Sequence, residues 1–414
     1  MSNRREEEPL RERNQRLNLL YPFYIVLVVL SVFAVDASSQ KHKAEFSTKY
    51  IFPFQDKHVH GSSIVELPNG DLLSSWFEGS GERNANDAMI KGARLKKGAK
   101  EWGKPFILAD TPGHPDCNPV LFMNSNNRLF LIWIVVQANR WETSVLKYRY
   151  SDEYNGKGAP EWKWQDVILL KPDDKFVESV KEGFKVSGKS GLSWAEYAPK
   201  YEDMIYEAAK DQKKRETGWM TRIKPTTLSS GRIILPLYSD GYNFSLMAIS
   251  DDDGINWTAS LPSVGRGNVQ PAIIEKSDGS LIAYMRDNGD EPGKIMVSSS
   301  NDEGFTWSPA EKIELPNPGA SIDAIKLKNG HFLMIYNDVD DGRHSLAVSI
   351  SEDEGRTWRY TRSIENTQKG EGAYAYPTVI QSEDGKIHTT FSYHVKENKT
   401  IKYVSFTEEW VKAK

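Results

Sequence analysis

The chain has 414 residues and a formal net charge of −4 at pH 7, so its charge balance predicts neither a nucleic-acid partner nor adhesion to an anionic membrane surface. Its single cysteine, Cys117, excludes an intrachain disulfide framework. Its 12 Trp, 18 Tyr and 16 Phe favour β-structure and surfaces that stack on sugars.

The chain begins with a charged segment, residues 1–16, which is followed by an uncharged and mostly apolar segment, residues 17–35. As a helix, the apolar segment would measure about 28 Å, close to the thickness of the bilayer core. Two interpretations fit: a cleaved signal peptide over residues 1–37, or a single-pass signal anchor with its Arg-rich end in the cytoplasm. Both predict that the rest of the chain lies outside the cytoplasm, as a secreted, periplasmic or membrane-anchored protein.

Six later segments share one pattern, in which a short apolar run, a turn containing Gly or Asn, and a second apolar run follow one another. After a linker over residues 38–44, they occupy residues 62–77, 119–133, 225–235, 271–284, 322–336 and 377–391. Asn-Gly or Asp-Gly in such a turn is a strong signal for a β-hairpin. Each segment is therefore predicted to form the two inner strands of one propeller blade.

An eight-residue motif of the form Ser-x-Asp-x-Gly-x-x-Trp closes three of the predicted blades. Its copies begin at Ser250, Ser300 and Ser351, so they recur at the fixed period of a repeated supersecondary unit. Ser and Asp side chains accept hydrogen bonds inside a tight turn, Gly supplies a positive φ, and Trp packs between neighbouring sheets. We therefore expect a structural and not a chemical role for the motif.

The pattern predicts an all-β, six-bladed propeller over residues 45–414. Residues 402–406 supply the third strand of the last blade, and residues 45–51 are expected to return as its fourth, which would leave no open sheet edge. Residues 171–218 interrupt the β-pattern as a short helical insertion, in which Tyr201, Met204, Ile205 and Ala208 have the spacing of an amphipathic helix. The insertion would either overhang the mouth of the ring or decorate its surface.

Polar, charged and aromatic residues cluster where the predicted inner strands begin and the second strands end, at one end of the central channel. Arg pairs with carboxylates, aromatic rings stack on sugars, and Asp, Glu, His and Tyr transfer protons. The cluster predicts a site for an acidic or heavily hydroxylated sugar, and its members include His58, His60, Glu82, Arg222, Gln270, Arg286, Asp323, Tyr374 and Tyr376. Gln270 and Asp323 are assigned to substrate binding. No metal and no cofactor is predicted, since His58 and His60 have no further ligand set with convincing spacing.

These motifs resemble those of the sialidase (neuraminidase) superfamily, in its branch with BNR or Asp-box repeats. Besides the triple motif, the resemblance is carried by residues 268–271, 284–287, 315–324 and 374–377. It implies a six-bladed, sialidase-like propeller and, as in true sialidases, removal of terminal sialic acid with retention. It also implies three arginines that hold the substrate carboxylate, an Asp that is the acid/base and a Tyr–Glu pair that is the nucleophile.

The resemblance assigns roles to individual residues only in part, because His60 stands where true sialidases have the first arginine. It implies a catalytic site with Asp87 as acid/base, Arg222 and Arg286 as carboxylate-binding arginines, and Tyr374 or Tyr376 as nucleophile.

Three functions follow, each with a glycan as partner. The leading hypothesis is a sialidase-like glycoside hydrolase that acts on a terminal carboxylated sugar. The second is a lyase on uronate-containing glycans, in which His60 abstracts a proton beside a carboxylate that Arg222 neutralises. The third is a non-catalytic glycan-binding propeller.

Overall fold

The computed structural model describes residues 43–186 and 200–413, and these residues form six antiparallel sheets. Inner strands of neighbouring sheets contact each other all the way round, so the sheets close into a six-bladed propeller. The predicted signal or anchor segment, residues 17–35, lies outside the described residues. Among the helices that the structure describes, none is long and apolar enough to cross a membrane.

The first strand, β1 (Phe46–Tyr50), belongs to the last blade, and the other strands follow in chain order. Blade one contains β2 (His58–Glu66), β3 (Leu72–Gly79), β4 (Met89–Leu95) and β5 (Phe106–Ala109); blade two contains β6 (Asp116–Met123), β7 (Leu129–Val135), β8 (Val145–Ser151) and β9 (Trp164–Val167); blade three contains β10 (Met220–Thr221), β11 (Thr226–Thr227), β12 (Ile233–Ser239), β13 (Phe244–Ser250) and β14 (Thr258–Ala259). Blade four contains β15 (Asn268–Glu275), β16 (Leu281–Asp287), β17 (Lys294–Ser300) and β18 (Glu311–Pro316); blade five contains β19 (Asp323–Lys326), β20 (Phe332–Tyr336), β21 (Ser345–Ser351) and β22 (Tyr360–Asn366); blade six contains β23 (Ala373–Gln381), β24 (Ile387–Val395), β25 (Asn398–Phe406) and β1. The six predicted hairpins are thus confirmed as the inner strand pairs of the six blades.

The ring is closed by pairing between the two ends of the propeller. Strand β1 runs antiparallel to β25, with Phe46 opposite Phe406 and Tyr50 opposite Lys402. Beyond the strand, the hydroxyl of Thr407 accepts a hydrogen bond from the backbone N–H of Glu45 at 3.1 Å. The predicted return of the first strand to the last blade is therefore present, and it covers the outer edge of β25.

The three Asp-box turns have one geometry. In the copy that begins at Ser351, the Ser351 hydroxyl accepts from the N–H of Gly355 at 2.8 Å, and Asp353 accepts from the N–H of Thr357 at 2.8 Å. Gly355 has a φ of +86°, and a Cβ there would lie 1.9 Å from the hydroxyl of Tyr284 in the preceding blade. Glycine is therefore required both for its backbone conformation and for the close approach of two blades.

Helices flank the sheets in the insertion and at the end of the propeller. The insertion contains α1 (Asp174–Val186), α2 (Tyr201–Lys210) and α3 (Gln212–Glu216), blade two carries a 3₁₀ turn at Trp141–Thr143, and α4 (Glu408–Lys412) follows β25. Helix α2 is the amphipathic helix that the sequence predicts, but it buries Ile205 and Ala209 and leaves Met204 exposed.

The insertion packs on blade three through α1. Phe176 of α1 is fully buried, and its ring lies 5.4 Å from that of Tyr242 and 6.2 Å from that of Trp219. Because these contacts are aromatic and buried, they fix the insertion to the side of the propeller. None of its described residues lines the central cavity.

Candidate active site

A cavity of about 180 Å³ opens at one end of the central channel. Five of the six blades contribute to its wall, which is mostly polar and aromatic. The lining residues are His60, Phe77, Glu82, Asn118, Trp141, Tyr238, Asp240, Val269, Gln270, Arg286, Asn288 and Tyr376. The structure thus brings together five of the residues that the sequence analysis names for the site: His60, Glu82, Gln270, Arg286 and Tyr376.

A β-bulge in the inner strand turns several of these side chains into the cavity. The register of β6, β15 and β23 shifts at Asn118, Gln270 and Tyr376, and each of these residues has a positive φ, of 49°, 58° and 56°. A proline follows each of them in the sequence and cannot donate to the ladder. Since a bulge bends its strand and re-aims a side chain, three X-Pro pairs in inner strands mark the cavity wall. Blade one has the same irregularity at Gly61, directly after His60.

The hydroxyl of Tyr376 is surrounded by hydrogen-bond donors and cations. It accepts from Nη1 of Arg286 at 3.2 Å and from Nε2 of Gln270 at 3.5 Å. The guanidinium carbons of Arg222 and Arg343 lie 4.8 and 5.5 Å from the centre of the Tyr376 ring. Burial by itself would raise the pKa of Tyr376, but the positive charges, led by those of Arg286 and Arg343, outweigh it and lower the pKa below 10. The phenolate is therefore easier to form here than in an exposed tyrosine.

His60 lies directly beside this tyrosine. The two ring centres are 4.0 Å apart, and Nδ1 of His60 lies 2.8 Å from the hydroxyl of Ser392. Burial, followed by the charge of Arg343, lowers the pKa of His60 well below 6.5, so the imidazole is neutral at neutral pH. A neutral imidazole and an anion-favouring phenol thus share one wall of the cavity.

Arg222 does not line the cavity, although the sequence predicts it as a substrate-binding residue. Its side chain is 1% exposed, and it donates to the carbonyl of Ser62 at 3.4 Å and to that of Pro377 at 3.1 Å. Burial lowers the pKa of Arg222 to about 10. Its position behind the ring of Tyr376 gives it an electrostatic role in the site and leaves substrate contact to other arginines.

Arg343 is a site residue that sequence reasoning missed. It donates to the carbonyl of Gly319 at 3.3 Å and lies over the face of Tyr376. It precedes the third strand of blade five, whereas the predicted site residues came from the starts of inner strands and the ends of second strands. The sequence feature that could have identified Arg343 is its position as a charged residue directly after Asp341-Gly342 and just before a strand.

Asp87 lies outside the cavity wall. Its carboxylate is exposed and accepts from the N–H of Ser80 at 3.1 Å and from the Ser80 hydroxyl at 2.7 Å. These hydrogen bonds lower its pKa, with the bond from the Ser80 hydroxyl as the largest cause. Asp87 thus organises the loop between β3 and β4.

Asp323 and Tyr374 also lie away from the cavity. Asp323 is fully buried, pairs with Nζ of Lys224 at 2.7 Å and accepts from the N–H of Val379 at 2.8 Å, so it joins blades three, five and six. Tyr374 is fully buried and donates to the hydroxyl of Thr367 at 3.3 Å. Of the two tyrosines predicted as nucleophile, the structure places Tyr376 in the cavity.

Glu82 brings a carboxylate into the cavity from the loop after β3. Its Oε1 lies 3.1 Å from Nε2 of His58. Hydrogen bonding by His58 lowers the pKa of Glu82 and outweighs the opposing effect of burial.

A group of residues with the spacing of a metal site lies elsewhere, between blade five and α4. Among the described residues, this group consists of His331, Glu352 and Glu408. Nζ of Lys412 lies 2.5 Å from Glu352 and 2.6 Å from Glu408 and so already neutralises both carboxylates. This pairing leaves little reason for a cation to bind there.

Comparisons with known proteins agree with this architecture. A family model described as BNR repeat-like domain matches residues 70–191 and 208–389. An anhydrosialidase from Macrobdella decora is 26% identical over 179 residues, which is 38% of this chain and 23% of that protein, so the match spans about a quarter of the relative's length.

Solved structures with the same fold include three sialidase-type enzymes. A leech intramolecular trans-sialidase complexed with 2,7-anhydro-Neu5Ac has a TM-score of 0.64 at 15% identity, with 88% of this chain and 71% of that chain covered. The intramolecular trans-sialidase from Ruminococcus gnavus has a TM-score of 0.63 at 15% identity, with 86% and 96% covered. The NanB sialidase from Streptococcus pneumoniae has a TM-score of 0.64 at 13% identity, with 88% and 71% covered. At such identities the likeness shows the fold alone.

Proposed function

We propose, from the premise that this chain belongs to the BNR (Asp-box) repeat branch of the sialidase superfamily, that it is a glycoside hydrolase acting on a terminal carboxylated sugar of a glycan. The observation that carries the proposal is the environment of Tyr376. The oxygen of this phenol faces Arg286 and its ring lies near two further guanidinium groups, and these charges lower its pKa, which favours the phenolate form of a nucleophile.

The same charges suit an acidic substrate. Arg286 lines the cavity, and Arg343 lies over the ring of Tyr376, which also lines it. Guanidinium groups bind carboxylates through paired hydrogen bonds, and that contact would hold the anomeric carbon near the tyrosine oxygen. Trp141, from the 3₁₀ turn of blade two, offers a ring on which a sugar can stack.

The test is a screen of fluorogenic glycosides of sialic acid and of hexuronic acids with the wild-type protein and with Tyr376→Phe. We expect release of the fluorophore from one of these carboxylated sugars, and a loss of at least about 1,000-fold in kcat for the variant, since the nucleophile is gone. Saturable binding without turnover would refute hydrolysis and indicate a glycan-binding propeller.

A uronate lyase is the second candidate, and one observation favours it. The resemblance implies a Tyr–Glu pair, but Gln270 and Arg286 are the described residues that hydrogen-bond to Tyr376, and neither is a base. The neutral ring of His60 beside this tyrosine suits proton abstraction next to a neutralised carboxylate. A lyase product contains a new C=C bond, so ultraviolet absorbance that grows during the reaction separates elimination from hydrolysis.

We also propose that the enzyme acts outside the cytoplasm. The support is the apolar segment at residues 17–35, which has the length of a signal or anchor segment. Protease treatment of intact cells is the direct measurement, and a protein that stays protected until the cells are lysed and fractionates with the cytosol would contradict the proposal.

A further inference from the structure

The proposed hydrolysis needs a group that protonates the leaving glycosidic oxygen and later takes a proton from water. Asp87, which the resemblance implies for this role, is exposed and bound to Ser80. It does not line the cavity that contains Tyr376. The acid/base of this cavity is therefore to be sought among other side chains.

Glu82 meets the geometric requirement. It comes from the same loop as Asp87, five residues earlier, but it lines the cavity together with His60, Arg286 and Tyr376. Its carboxylate has a fixed partner, because Nε2 of His58 lies 3.1 Å from Oε1.

The partner histidine is itself held in place by rings from the same blade and its neighbour. The ring of His58 lies 5.6 Å from that of Phe77, 5.7 Å from that of His60 and 6.0 Å from that of His394. A histidine held by three rings in turn holds the carboxylate of Glu82 in one orientation, which a group that transfers protons in the cavity needs.

We propose that Glu82, oriented by His58, is the acid/base of this cavity. The inference rests on the proposed hydrolytic function and assigns its missing proton-transfer group. Glu82 acts as the catalytic residue, and His58 acts as a positioning residue that orients its carboxylate.

The proton and electron transfers balance over the two half-reactions. In the first, the Tyr376 phenolate forms a bond to the anomeric carbon, the bond to the glycosidic oxygen breaks with its electron pair on that oxygen, and Glu82 gives that oxygen its proton. In the second, the oxygen of a water molecule bonds to the anomeric carbon and Glu82 takes a proton from the water. The electron pair of the tyrosyl–carbon bond returns to the phenolate oxygen.

Glu82→Gln tests the role with two substrates of the same carboxylated sugar. One is an oligosaccharide, whose leaving group needs a proton, and the other is a 4-methylumbelliferyl glycoside, whose leaving group departs without one. Because Glu82 also serves the second half-reaction, which both substrates share, the comparison uses kcat/KM, which reports the first half-reaction. We expect kcat/KM to fall by about 100-fold or more on the oligosaccharide and by less than about 10-fold on the aryl glycoside. Glu408→Gln, which alters a similar His–Glu pair at His331 outside the cavity, is the matched control and should leave both rates near wild type.

His58→Gln tests the positioning role through the pH profile. His58, Arg343 and Arg83 lower the pKa of Glu82, with His58 having the largest effect, and the thiol of Cys117 also interacts with this carboxylate. Because hydrogen bonding by His58 lowers the pKa of Glu82, the limb of the kcat profile that follows Glu82 should move to higher pH in the variant, with KM unchanged. A drop in kcat at every pH without a shift would overturn the role of His58.

Four results would overturn the assignment of Glu82. Equal losses of kcat/KM on both substrates, with an unchanged melting temperature, would show that Glu82 does not protonate the leaving group. If Asp87→Asn loses far more activity on the oligosaccharide than on the aryl glycoside and Glu82→Gln does not, Asp87 is the acid/base. Absence of turnover in the wild-type protein would count against the proposed function and the inference together, whereas wild-type rates in Glu82→Gln count against the inference alone.

Discussion

Arg222→Met is the most informative single change, because it removes a buried cation from behind Tyr376 and keeps a side chain of similar length. The guanidinium carbon lies 4.8 Å from the ring centre of Tyr376, and its charge is one of three that lower the pKa of that tyrosine. We therefore expect the pKa of Tyr376 to rise in the variant. If Tyr376 reacts as a phenolate, kcat at neutral pH should fall, because less of the tyrosine is then ionised.

The fold should survive the change, because two opposing free energies nearly cancel. Loss of the two hydrogen bonds to the carbonyls of Ser62 and Pro377 costs about 1.5 kcal/mol each at the low end for charged donors, or about 3 kcal/mol in all. The drop in the pKa of Arg222 from 12.5 to about 10 corresponds to about 3 kcal/mol of burial cost that methionine does not incur. The net loss of unfolding free energy should therefore be about 0–2 kcal/mol.

Two measurements check this prediction. Urea denaturation gives the change in unfolding free energy, and ultraviolet titration of tyrosinate, taken as the difference between each protein and its Tyr376→Phe counterpart, gives the midpoint of this tyrosine. Arg232→Met is the matched control, since Arg232 forms an exposed ion pair with Asp251 in blade three and should change neither quantity appreciably. An unchanged titration midpoint of Tyr376 would refute the electrostatic role of Arg222. A loss of unfolding free energy above about 5 kcal/mol would show that the lost hydrogen bonds are not offset by the removed burial cost of the charge.

Lys224→Met leaves the buried carboxylate of Asp323 without its cation, so urea denaturation should show a loss of about 3–5 kcal/mol, and a loss below about 1 kcal/mol would contradict a structural role for this pair. The hydroxyl of Thr357 is the largest cause that lowers the pKa of Asp353 to about 2 from the usual 3.8, so the stability contributed by this carboxylate is present above about pH 4 and is lost as the pH falls towards 2. Melting temperatures measured from pH 5 to 2 should fall less steeply for Asp353→Asn than for the wild type, and identical curves would rule out this contribution. Arg286→Lys retains the charge but loses the planar fork, so kcat/KM for a carboxylated glycoside should drop about 10- to 100-fold, mainly through KM, and an unchanged KM would exclude Arg286 from carboxylate binding.

The architecture could be predicted from the sequence because each blade repeats the same local signals. Hairpin turns and the Asp-box motif act within a few residues, so their spacing shows both the elements and their number. Helix α1 lies within the predicted helical insertion, residues 171–218, but it was not identified as a separate amphipathic helix, although its buried Phe176, Val180 and Phe184 have helical spacing. The charged residues between them obscured the pattern. The aromatic partners of Phe176 lie in blade three, and that of Phe184 is Tyr201 in α2.

The candidate site was only partly predictable because its geometry depends on how distant loops converge. Tyr376, Gln270 and Arg286 were identified from their positions at strand ends, which the propeller places at one rim. Arg222 shares that position in the sequence, but its side chain points behind Tyr376 and not into the cavity. Side-chain direction follows from the bulges and from packing between blades, which no local pattern encodes.

The pairing of β1 with β25 makes the completed ring depend on residues 362 positions apart, as the contact between Glu45 and Thr407 shows. During synthesis on the ribosome, β1 emerges first and has no mate until the last strand has been made. The earlier blades can form while the backbone hydrogen-bonding groups of β1 are still unpaired. Pairing of β1 with β25 then closes the ring, and it is expected to be slow because the two strands are far apart in the sequence. Premature termination anywhere before β25 would therefore yield an open arc whose exposed strand edge can pair with other chains, which makes it a target for chaperones and proteases and not a smaller stable propeller.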